Sequence, residues 1–274
     1  MKQRTLSEIR QHYEIEKQIA KKLRESSPQE RKTLYTSAYD ELLQKVTNHP
    51  CLTSKNSAEE AARRVAYEML NLKPFLREDY IFLEVGPGDC AVSCAIAKSV
   101  RKVYAIDVSK EITKNLAAPS NFELILSDGS SIDVPPESVD LAYSNQLMEH
   151  LHPEDSLKQL QNIFRVLKPG GTYFCSTPNR LSGPHDVSRD FDTVATGLHL
   201  KEYTVTELDK IFRETGFSKT KVYLRFGERR ALLPVGIFKV VEKMLDFLPG
   251  SLRKKLTFNR PVRFLLGVKL IGTK

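Results

Sequence analysis

The fold is decided by residues 84–90, which read Glu-Val-Gly-Pro-Gly-Asp-Cys. This stretch ends a short apolar run at residues 80–85 and opens a segment of helical character at residues 89–98. A strand that enters a helix through glycines lets a ligand approach the backbone, because glycine has no Cβ atom, and the first helical amides offer hydrogen bonds. With Ala91, the two glycines also satisfy the dinucleotide pattern G-x-G-x-x-G/A, so the loop alone does not identify its ligand.

From residue 80 onward, short apolar runs alternate with helical stretches. The predicted strands cover residues 80–85, 103–106, 122–126, 139–144, 172–176, 219–226 and 264–271. Strands separated by helices predict right-handed crossovers and therefore a doubly wound α/β fold with a mostly parallel, seven-stranded sheet. Ligands of such sheets bind beyond the carboxyl ends of the strands, which is where the acidic and glycine residues of this chain fall.

Three acidic residues lie at predicted strand ends. Glu84 places a carboxylate directly before the glycine turn, where a cation is favoured and a pyrophosphate is repelled. Asp107 ends the second strand and is placed for ribose hydroxyls, while Asp128 ends the third and can accept from an exocyclic adenine amine. A helix N-cap at Asp107 and an ordinary Asp128-Gly129 turn are the alternatives, and the sequence leaves both open.

Five motifs carry a resemblance to a known family. They are Glu84-Val-Gly-Pro-Gly, Ile106-Asp107-Val108, Ser127-Asp128-Gly129, the run from Val139 to Leu151, and the run from Arg165 to Gly171. In this order they resemble class I S-adenosylmethionine-dependent methyltransferases, over about residues 80–226, and the nearest sub-type includes quinone-biosynthesis and small-molecule methyltransferases. The resemblance implies a Rossmann-like fold with S-adenosylmethionine as the cofactor.

The resemblance also implies which residues hold the methionine part of that cofactor. Gly86 and Gly88 would pack against it, Glu84 would lie near its ammonium group, and Asn145 would lie beside it. The chain departs from the family at Cys90, which stands where a third glycine is usual.

At the nucleoside end, the resemblance implies that Asp107 binds the ribose hydroxyls and that Asp128 and Gly129 flank the adenine. An NAD(P)-dependent oxidoreductase is the rival interpretation, because it would share the glycine loop and Asp107. It would leave Glu84, Asp128 and residues 145–150 without a role.

Methyl transfer from a sulfonium is an in-line displacement, which needs aligned atoms and excluded water, and a hydroxyl acceptor is helped by a general base. His150, just after the fourth strand, is the favoured catalytic residue, although packing of the local turn explains it equally well. His199 lies in a predicted lid over residues 178–203 and is a second candidate, as a substrate contact. No residues stand at metal-ligand spacing in the sequence, so no metal is predicted.

Two regions flank the motifs. Residues 1–79 are predicted to form a helical cap that helps to enclose the acceptor, and residues 80–274 the methyltransferase domain. A basic amphipathic insertion is predicted at about residues 229–259, within a C-terminal region, residues 201–274, that carries 17 Lys and Arg against seven Asp and Glu. A solvated helix that closes the acceptor pocket, contact with a membrane surface and nucleic-acid binding are the three interpretations, and the absence of a recognisable RNA-binding module makes the last the weakest.

Composition adds broad limits. The chain has 274 residues, of which 41% are hydrophobic and 28% charged, as in ordinary globular proteins. It has no apolar run of about 18 residues and no apolar segment behind its first positive charges, so a cytoplasmic protein, at most peripheral to a membrane, is expected. The four cysteines, Cys51, Cys90, Cys94 and Cys175, form no CxxC pair and are interpreted as small apolar residues.

The sequence therefore predicts methyl transfer from S-adenosylmethionine to a small molecule, a sugar or a lipid-linked intermediate, with a hydroxyl as the expected acceptor. An RNA methyltransferase that uses the basic C-terminal region and a non-catalytic donor-binding protein are the further alternatives.

Overall fold

The predicted alternation of strands and helices is present in the computed structural model, which describes residues 4–48, 58–109 and 117–274. The strands are β1 (Ile81–Val85), β2 (Lys102–Asp107), β3 (Phe122–Leu126), β4 (Val139–Asn145), β5 (Leu167–Thr177), β6 (Lys219–Phe226), β7 (Arg229–Pro234) and β8 (Val268–Thr273). They form one sheet in the order β3-β2-β1-β4-β5-β8-β6-β7. The first five strands pair in parallel, whereas β8 is antiparallel to β5 and β6, and β7 is antiparallel to β6. The α/β fold with a mostly parallel sheet and an N-terminal helical extension is thus confirmed.

The C-terminal region differs from the prediction in two places. Residues 229–234, assigned to the insertion, form β7, so the sheet has eight strands and not seven. A two-residue turn joins β6 to β7, and Gly227 takes a φ of +59° there, which glycine adopts without strain. The closing strand begins at Val268 and not at residue 264, because Pro261 starts a helix that runs to Leu266.

The helices are α1 (Leu6–Glu25), α2 (Pro28–Lys45), α3 (Ala58–Leu72), α4 (Ala91–Ile96), α5 (Pro153–Val166), α6 (Val205–Thr215), α7 (Val235–Asp246), α8 (Gly250–Thr257) and α9 (Arg260–Leu266). Capping boxes start α1, α2 and α6, where a Thr or Ser side chain and a Glu three residues later satisfy the first free amides. Among the described residues, no helix is both long enough and apolar enough to cross a membrane.

Apolar packing fixes both faces of the sheet. On one face, side chains of α5 and α6 such as Leu160 and Phe212 pack against Tyr173 of β5. On the other, Leu72 of α3 and Ile96 of α4 belong to a second buried cluster. Helix α3 therefore packs as part of the sheet layers, although the sequence placed it in the cap.

The first two helices occupy a different position. A separate buried cluster joins them to the carboxyl edge of the sheet, and it includes Ile19, Leu23, Tyr35, Leu42, Leu151 and Leu198. Burying an aliphatic side chain of this size stabilises the folded state by about 1.5–3 kcal/mol. The cap formed by α1 and α2 is thus held onto the edge where the predicted ligand residues lie.

The cysteines that the structure describes are free and at least partly buried, as predicted for small apolar residues. Cys90 and Cys175 are buried and Cys94 is partly buried, and all three are free thiols. Burial raises the pKa of both the Cys90 and the Cys175 thiol to about 12, so they stay protonated near neutral pH. Cys51 lies outside the described residues.

Candidate functional site

The glycine loop between β1 and α4 takes left-handed backbone conformations at three positions. The φ angle is +71° at Gly86, +57° at Gly88 and +56° at Cys90. A Cβ atom on Gly86 would lie 2.9 Å from a methyl carbon of Leu147, so this position excludes a side chain on two grounds. Cys90 adopts the conformation that a glycine would take at the same place, at a cost of about 1–2 kcal/mol. Cys90 therefore occupies a backbone conformation that suits the glycine usual in the family.

Negative charge surrounds this loop. Glu84 is buried and accepts a hydrogen bond from the hydroxyl of Ser93. Burial raises the pKa of Glu84 to about 7, and the charges of Glu68, Asp89 and Asp107 add to the effect. Carboxylates grouped in this way favour a cation and disfavour a pyrophosphate, and the ligand of Glu84 stays a prediction.

Asp107 faces the loop from the end of β2. Its Oδ2 accepts the Gly88 amide at 3.2 Å and its Oδ1 accepts the Ser109 amide at 3.0 Å. The carboxylate therefore lies beside the glycines, as expected for a residue that binds a ribose next to them. The rival prediction of a helix N-cap concerns the segment after it, of which residues 110–116 lie outside the described residues.

Asp128 has partners that the sequence did not predict. Its carboxylate accepts four hydrogen bonds from the amides and hydroxyls of Ser130 and Ser131, at 2.8–3.2 Å, and lies 3.0 Å from Nζ of Lys32. Although burial acts in the opposite direction, these bonds hold the pKa of Asp128 well below its usual range. Its accepting capacity is thus used within the protein, which matches the turn alternative.

Helix α2 covers the loops that follow β2 and β3. The hydroxyl of Thr36 donates to the carbonyl of Val108 at 3.2 Å. The ring of Tyr35 lies so close to Gly129 that a Cβ atom there would approach it to 2.7 Å. Sequence reasoning missed Lys32, Tyr35 and Thr36, because their only signal is the apolar stripe of α2, which does not show what it packs against.

One buried ion pair anchors α2. Nε of Arg31 lies 2.5 Å from Oδ2 of Asp155 in α5, and the hydroxyl of Tyr35 donates to the same oxygen at 2.6 Å. Arg31 is 2% exposed and Asp155 6% exposed, so the pair is removed from water. The cap was predicted to enclose the acceptor, and the structure shows that α2 covers the predicted donor side.

A cavity of about 350 Å³ opens at the carboxyl ends of β4 and β5. Asn145, predicted to lie beside the methionine end of the donor, is part of its wall, as are Gln146 and residues 176–179. A second cavity of about 360 Å³ shares Ser182, His185 and Arg263 with the first and extends to α8. The two cavities therefore adjoin each other, and together they extend from the end of β4 to the basic C-terminal helices.

The predicted lid contains two short helical turns, Arg180–Ser182 and Val187–Asp190, and packs against α1. Arg24 donates to the carbonyls of residues 196, 197 and 199. Glu16 accepts the Leu198 amide at 3.2 Å. Four residues between 178 and 185 line the first cavity, so the predicted lid borders a space that could hold the acceptor.

The fold brings His150 and His199 together. Their rings meet edge to face with centroids 4.8 Å apart. Nδ1 of His150 lies 3.1 Å from the carbonyl oxygen of Leu198, and since a carbonyl only accepts, this nitrogen carries the proton and Nε2 a lone pair. Nδ1 of His199 lies 2.7 Å from Oε1 of Glu202. His199 is buried, 7% exposed, and is held by Glu202 below the surface of the predicted lid.

Glu149 joins the two histidines. One ligating atom from each of the three residues lies within 4.8 Å of the others. Burial raises the pKa of Glu149 to about 7. Burial, together with the neighbouring His199, lowers the pKa of His150 to about 3. For His199 burial acts in the lowering direction, but the hydrogen bond to Glu202 and nearby carboxylates raise its pKa. The sequence showed no metal-ligand spacing because His199 lies far along the chain from the other two.

Comparison with known proteins finds similarity to methyltransferases in the central region of the chain. Residues 83–175 match the family model described as a methyltransferase domain. Over 136 residues, 49% of this chain and 51% of the relative, the chain is 29% identical to a Mycolicibacterium smegmatis protein named "Probable S-adenosylmethionine-dependent methyltransferase". It is 28% identical over 139 residues, 48% of this chain and 49% of the relative, to dimethylglycine N-methyltransferase of Parasynechococcus marenigrum. The chain spans about half the length of these two relatives.

Solved structures agree on the fold. A methyltransferase from Archaeoglobus fulgidus, described as S-adenosylmethionine-dependent, superimposes with a TM-score of 0.54 at 17% identity, over 82% of this chain and 97% of its own. Phosphoethanolamine N-methyltransferase 1 of Haemonchus contortus, solved with phosphoethanolamine and S-adenosylhomocysteine, also gives 0.54, at 16% identity, over 74% of this chain and 43% of its own. At such identities the likeness concerns the fold alone.

Proposed function

We propose that this chain, which carries a class I S-adenosylmethionine-dependent methyltransferase domain, transfers the methyl group of S-adenosylmethionine to a hydroxyl of an anionic, membrane-linked acceptor. The observation that carries the proposal is the pair of adjoining cavities that extends from Asn145 to the basic C-terminal helices. The division into a cap at residues 1–79 and a methyltransferase domain at residues 80–274, and the quinone-biosynthesis sub-type, stay predictions.

The residues around the glycine loop fit the methionine end of the donor. S-adenosylmethionine supplies an electrophilic methyl group on a sulfonium and also carries an ammonium group. The buried carboxylate of Glu84 suits those positive charges, and the left-handed Gly86 and Gly88 leave the backbone open to a ligand. Asn145 would lie between the donor and the first cavity, since it ends β4 and also lines that cavity.

At the nucleoside end, Asp107 would bind the ribose hydroxyls and Gly129 would face the adenine. Asp128 would shape this end rather than bind the amine, because Ser130, Ser131 and Lys32 already occupy its oxygens. Tyr35, packed on Gly129, would exclude water from the same end.

The charged side chains that line the two cavities favour an anionic acceptor. Arg263 lines both cavities, Lys269 lines the first, and Lys254 lines the second. Arg189 and Asp190 in the second cavity are close enough to neutralise each other, with Nε and Oδ2 3.7 Å apart. Glu68 is the other acidic residue of the two linings, so positive side chains exceed negative ones in these cavities, as expected for a phosphate- or carboxylate-bearing molecule.

A hydroxyl is the favoured acceptor group because a lone pair is available to accept a hydrogen bond from it. Nε2 of His150 has one, since Nδ1 is fixed as the protonated nitrogen by Leu198. Since the pKa of His150 is only about 3, this nitrogen would orient the hydroxyl and the proton would pass on to water. A hydroxyl that donates to this nitrogen gains nucleophilic character as its oxygen approaches the methyl carbon.

The outer surface of α7, α8 and α9 supports a membrane source for the acceptor. Exposed apolar side chains of this surface are Ile237, Val240, Met244, Phe247, Leu252, Phe258 and Phe264. Exposed Lys254, Lys255 and Arg263 lie among them. An apolar surface with basic residues fits an anionic lipid surface, in which apolar side chains enter the interface and cations meet the headgroups.

The donor is tested by thermal unfolding with S-adenosylmethionine, S-adenosylhomocysteine or NADH. A ligand at about 100 times its dissociation constant stabilises by roughly 2.7 kcal/mol, so both adenosyl ligands should raise the unfolding temperature by several degrees. A rise with NADH alone would show that the loop binds a dinucleotide and would overturn the proposal.

The acceptor is tested with S-adenosylmethionine labelled in its methyl group and with lipid, soluble and RNA fractions of the organism that encodes the chain. We expect label in the lipid fraction that survives mild alkali, because methyl ethers resist it and methyl esters do not. Label confined to the soluble or RNA fraction would contradict a membrane-linked acceptor. Donor binding without transfer to any fraction would identify a binding protein.

Vesicle flotation tests the membrane surface. Phosphatidylcholine vesicles that contain phosphatidylglycerol should bind the chain, and pure phosphatidylcholine vesicles should bind it less. Phe247→Asp, at a side chain that is 80% exposed, should abolish the binding. Leu6→Asp is the matched control, because Leu6 is 82% exposed on α1, and equal loss in both variants would contradict a specific surface.

A further inference from the structure

We propose that Glu149, His150 and His199 form a binding site for one divalent transition-metal ion of the zinc type. Their three ligating atoms lie within 4.8 Å of one another, so small side-chain rotations would bring them to the roughly 3.3 Å that separates the ligands of a tetrahedral ion. Two imidazole nitrogens and one carboxylate oxygen suit Zn²⁺ and its neighbours in the first transition row. Mg²⁺ and Ca²⁺ prefer sites made of oxygen alone.

Each of the three side chains is held by one atom and retains another that can bind an ion. The holding contacts are Nδ1 of His199 to Oε1 of Glu202 at 2.7 Å, Nδ1 of His150 to the Leu198 carbonyl at 3.1 Å, and Oε2 of Glu149 to the Thr177 hydroxyl at 2.8 Å. Metal-binding histidines characteristically donate their second nitrogen to a carboxylate or a carbonyl, which fixes the tautomer and orients the ring. Both histidines here have that arrangement.

The remaining oxygen of Glu149 points to a missing partner. The side chain is fully buried, and Oε1 has no hydrogen-bond partner among the described residues. A buried carboxylate oxygen without a partner is unfavourable, because it has lost its water and gained nothing in return. A cation at the centre of the three residues would satisfy this oxygen and use both imidazole lone pairs.

The site is open on one side. Glu149 and His199 are buried, whereas His150 is partly exposed and its ring lies 6.0 Å from that of Tyr39 in α2. Three protein ligands leave at least one position of a tetrahedral ion free, which is typical of catalytic rather than structural zinc sites. An exogenous oxygen ligand would enter from the His150 side.

The role of the ion, unlike its binding, rests on the proposed function. An acceptor hydroxyl bound at the free position becomes more acidic and releases its proton to water. The oxygen then forms a bond to the methyl carbon while the bond from that carbon to sulfur breaks, which yields S-adenosylhomocysteine and the methyl ether. The ion, and not the unprotonated Nε2 of His150, would then activate the hydroxyl.

Metal binding is tested on the full chain after treatment with a chelator, without donor or acceptor. Zn²⁺ should bind with one ion per chain, raise the unfolding temperature, and be replaced by Co²⁺ with visible d–d absorption. Glu149→Gln and His199→Gln should lose this binding. Glu202→Gln, which removes only an orienting partner, should weaken it by about 10- to 100-fold.

His152→Gln is the control, because His152 is two residues from His150 but its Nδ1 accepts the Glu154 amide outside the cluster. This variant should bind Zn²⁺ like the wild-type chain. Equal affinity in the wild-type chain and His199→Gln would overturn the proposal, as would cobalt bands from thiolate ligands. If circular dichroism shows that Glu149→Gln is unfolded, His199→Gln decides. Unchanged S-adenosylmethionine binding in a chain that binds no metal would leave the proposed donor site intact.

Discussion

The carboxyl edge of the sheet has two halves that are built in different ways. The half proposed to bind the donor, at the ends of β1, β2 and β3, consists of three loops that each carry a short contiguous motif and that contact one another, as Gly88 contacts Asp107. The acceptor half, beyond β4 and β5, is assembled from segments that are distant in sequence. Its histidine cluster joins Glu149 to His199, and its cavities join Asn145 to Arg263.

This difference determines which parts of the site can be predicted from the sequence. Loops that each carry a contiguous motif leave recognisable patterns of a few residues, whereas a site assembled from distant segments leaves single residues with no common spacing. The N-terminal cap links the halves, since α2 contacts the loops after β2 and β3, while α1 contacts residues 196–199.

The largest effect is expected from breaking the anchor of the cap. Arg31→Ala leaves the buried carboxylate of Asp155 without its ion-pair partner, so the free energy of unfolding should fall by about 3–5 kcal/mol. Urea unfolding measures the loss. Arg63→Ala is the control, because its pair with Glu59 is exposed and should contribute less than about 1 kcal/mol. Equal losses in both variants would show that the cap is not anchored at Arg31.

Asp107→Ala tests whether the two halves bind their ligands independently. The carboxylate is expected to accept ribose hydroxyls, and losing two hydrogen bonds to a charged group, about 1.5 kcal/mol or more each, should weaken S-adenosylmethionine binding by about 100-fold. Calorimetric titration measures this, with the exposed Asp133→Ala as control. Zinc binding in the same variant should not change, and a parallel loss of both ligands would mean that the halves fold as one unit.

The sequence predicted the local structure of the proposed donor half. Residues 84–90, Asp107 and Gly129 lie at or just beyond the ends of β1, β2 and β3, as the motifs predicted, because strand patterns and glycine turns are encoded locally, while their roles as ligands stay predictions. It did not predict the partners of Asp128, since Lys32 reaches it from a helix almost a hundred residues earlier.

In the acceptor half the sequence identified His150 and His199 singly and not as a pair. Their contact depends on how residues 197–203 return to the end of β4, and tertiary packing alone sets that path. The eighth strand was missed for a similar reason, because the exposed residues of β7 carry no apolar alternation and pair only at the edge of the sheet.

Two glycines offer a smaller test of how the cap sits on the donor half. Gly129 and Gly170 have similar left-handed φ angles, +93° and +80°, so alanine should strain both by about 1–2 kcal/mol. Only at Gly129 would the new Cβ atom meet a neighbour, the ring of Tyr35, at 2.7 Å, and relieving that overlap should add about 1–3 kcal/mol. Urea unfolding of both variants gives the difference, and equal losses would contradict the contact between Tyr35 and Gly129.

The last expected effect is a pH dependence that belongs to the proposed donor half alone. Burial raises the pKa of Glu84 to about 7, above the value near 4.5 of the unfolded chain, so the folded protein holds a proton there below pH 7. This proton stabilises the fold relative to an ionised Glu84, and the stabilisation is lost as pH rises from about 4.5 to 7.

A bound cationic donor would reverse the preference of Glu84 for its protonated form, because a cation stabilises the ionised carboxylate. Its binding must therefore expel the proton at lower pH, and the affinity for S-adenosylmethionine should rise by up to about tenfold per pH unit toward pH 7 and level off above it. Calorimetric titration at several pH values measures this, and Glu84→Gln should bind more weakly with a flat profile. A slope that survives in Glu84→Gln would assign the proton to another group, and zinc binding should show no dependence on this substitution if the two halves act separately.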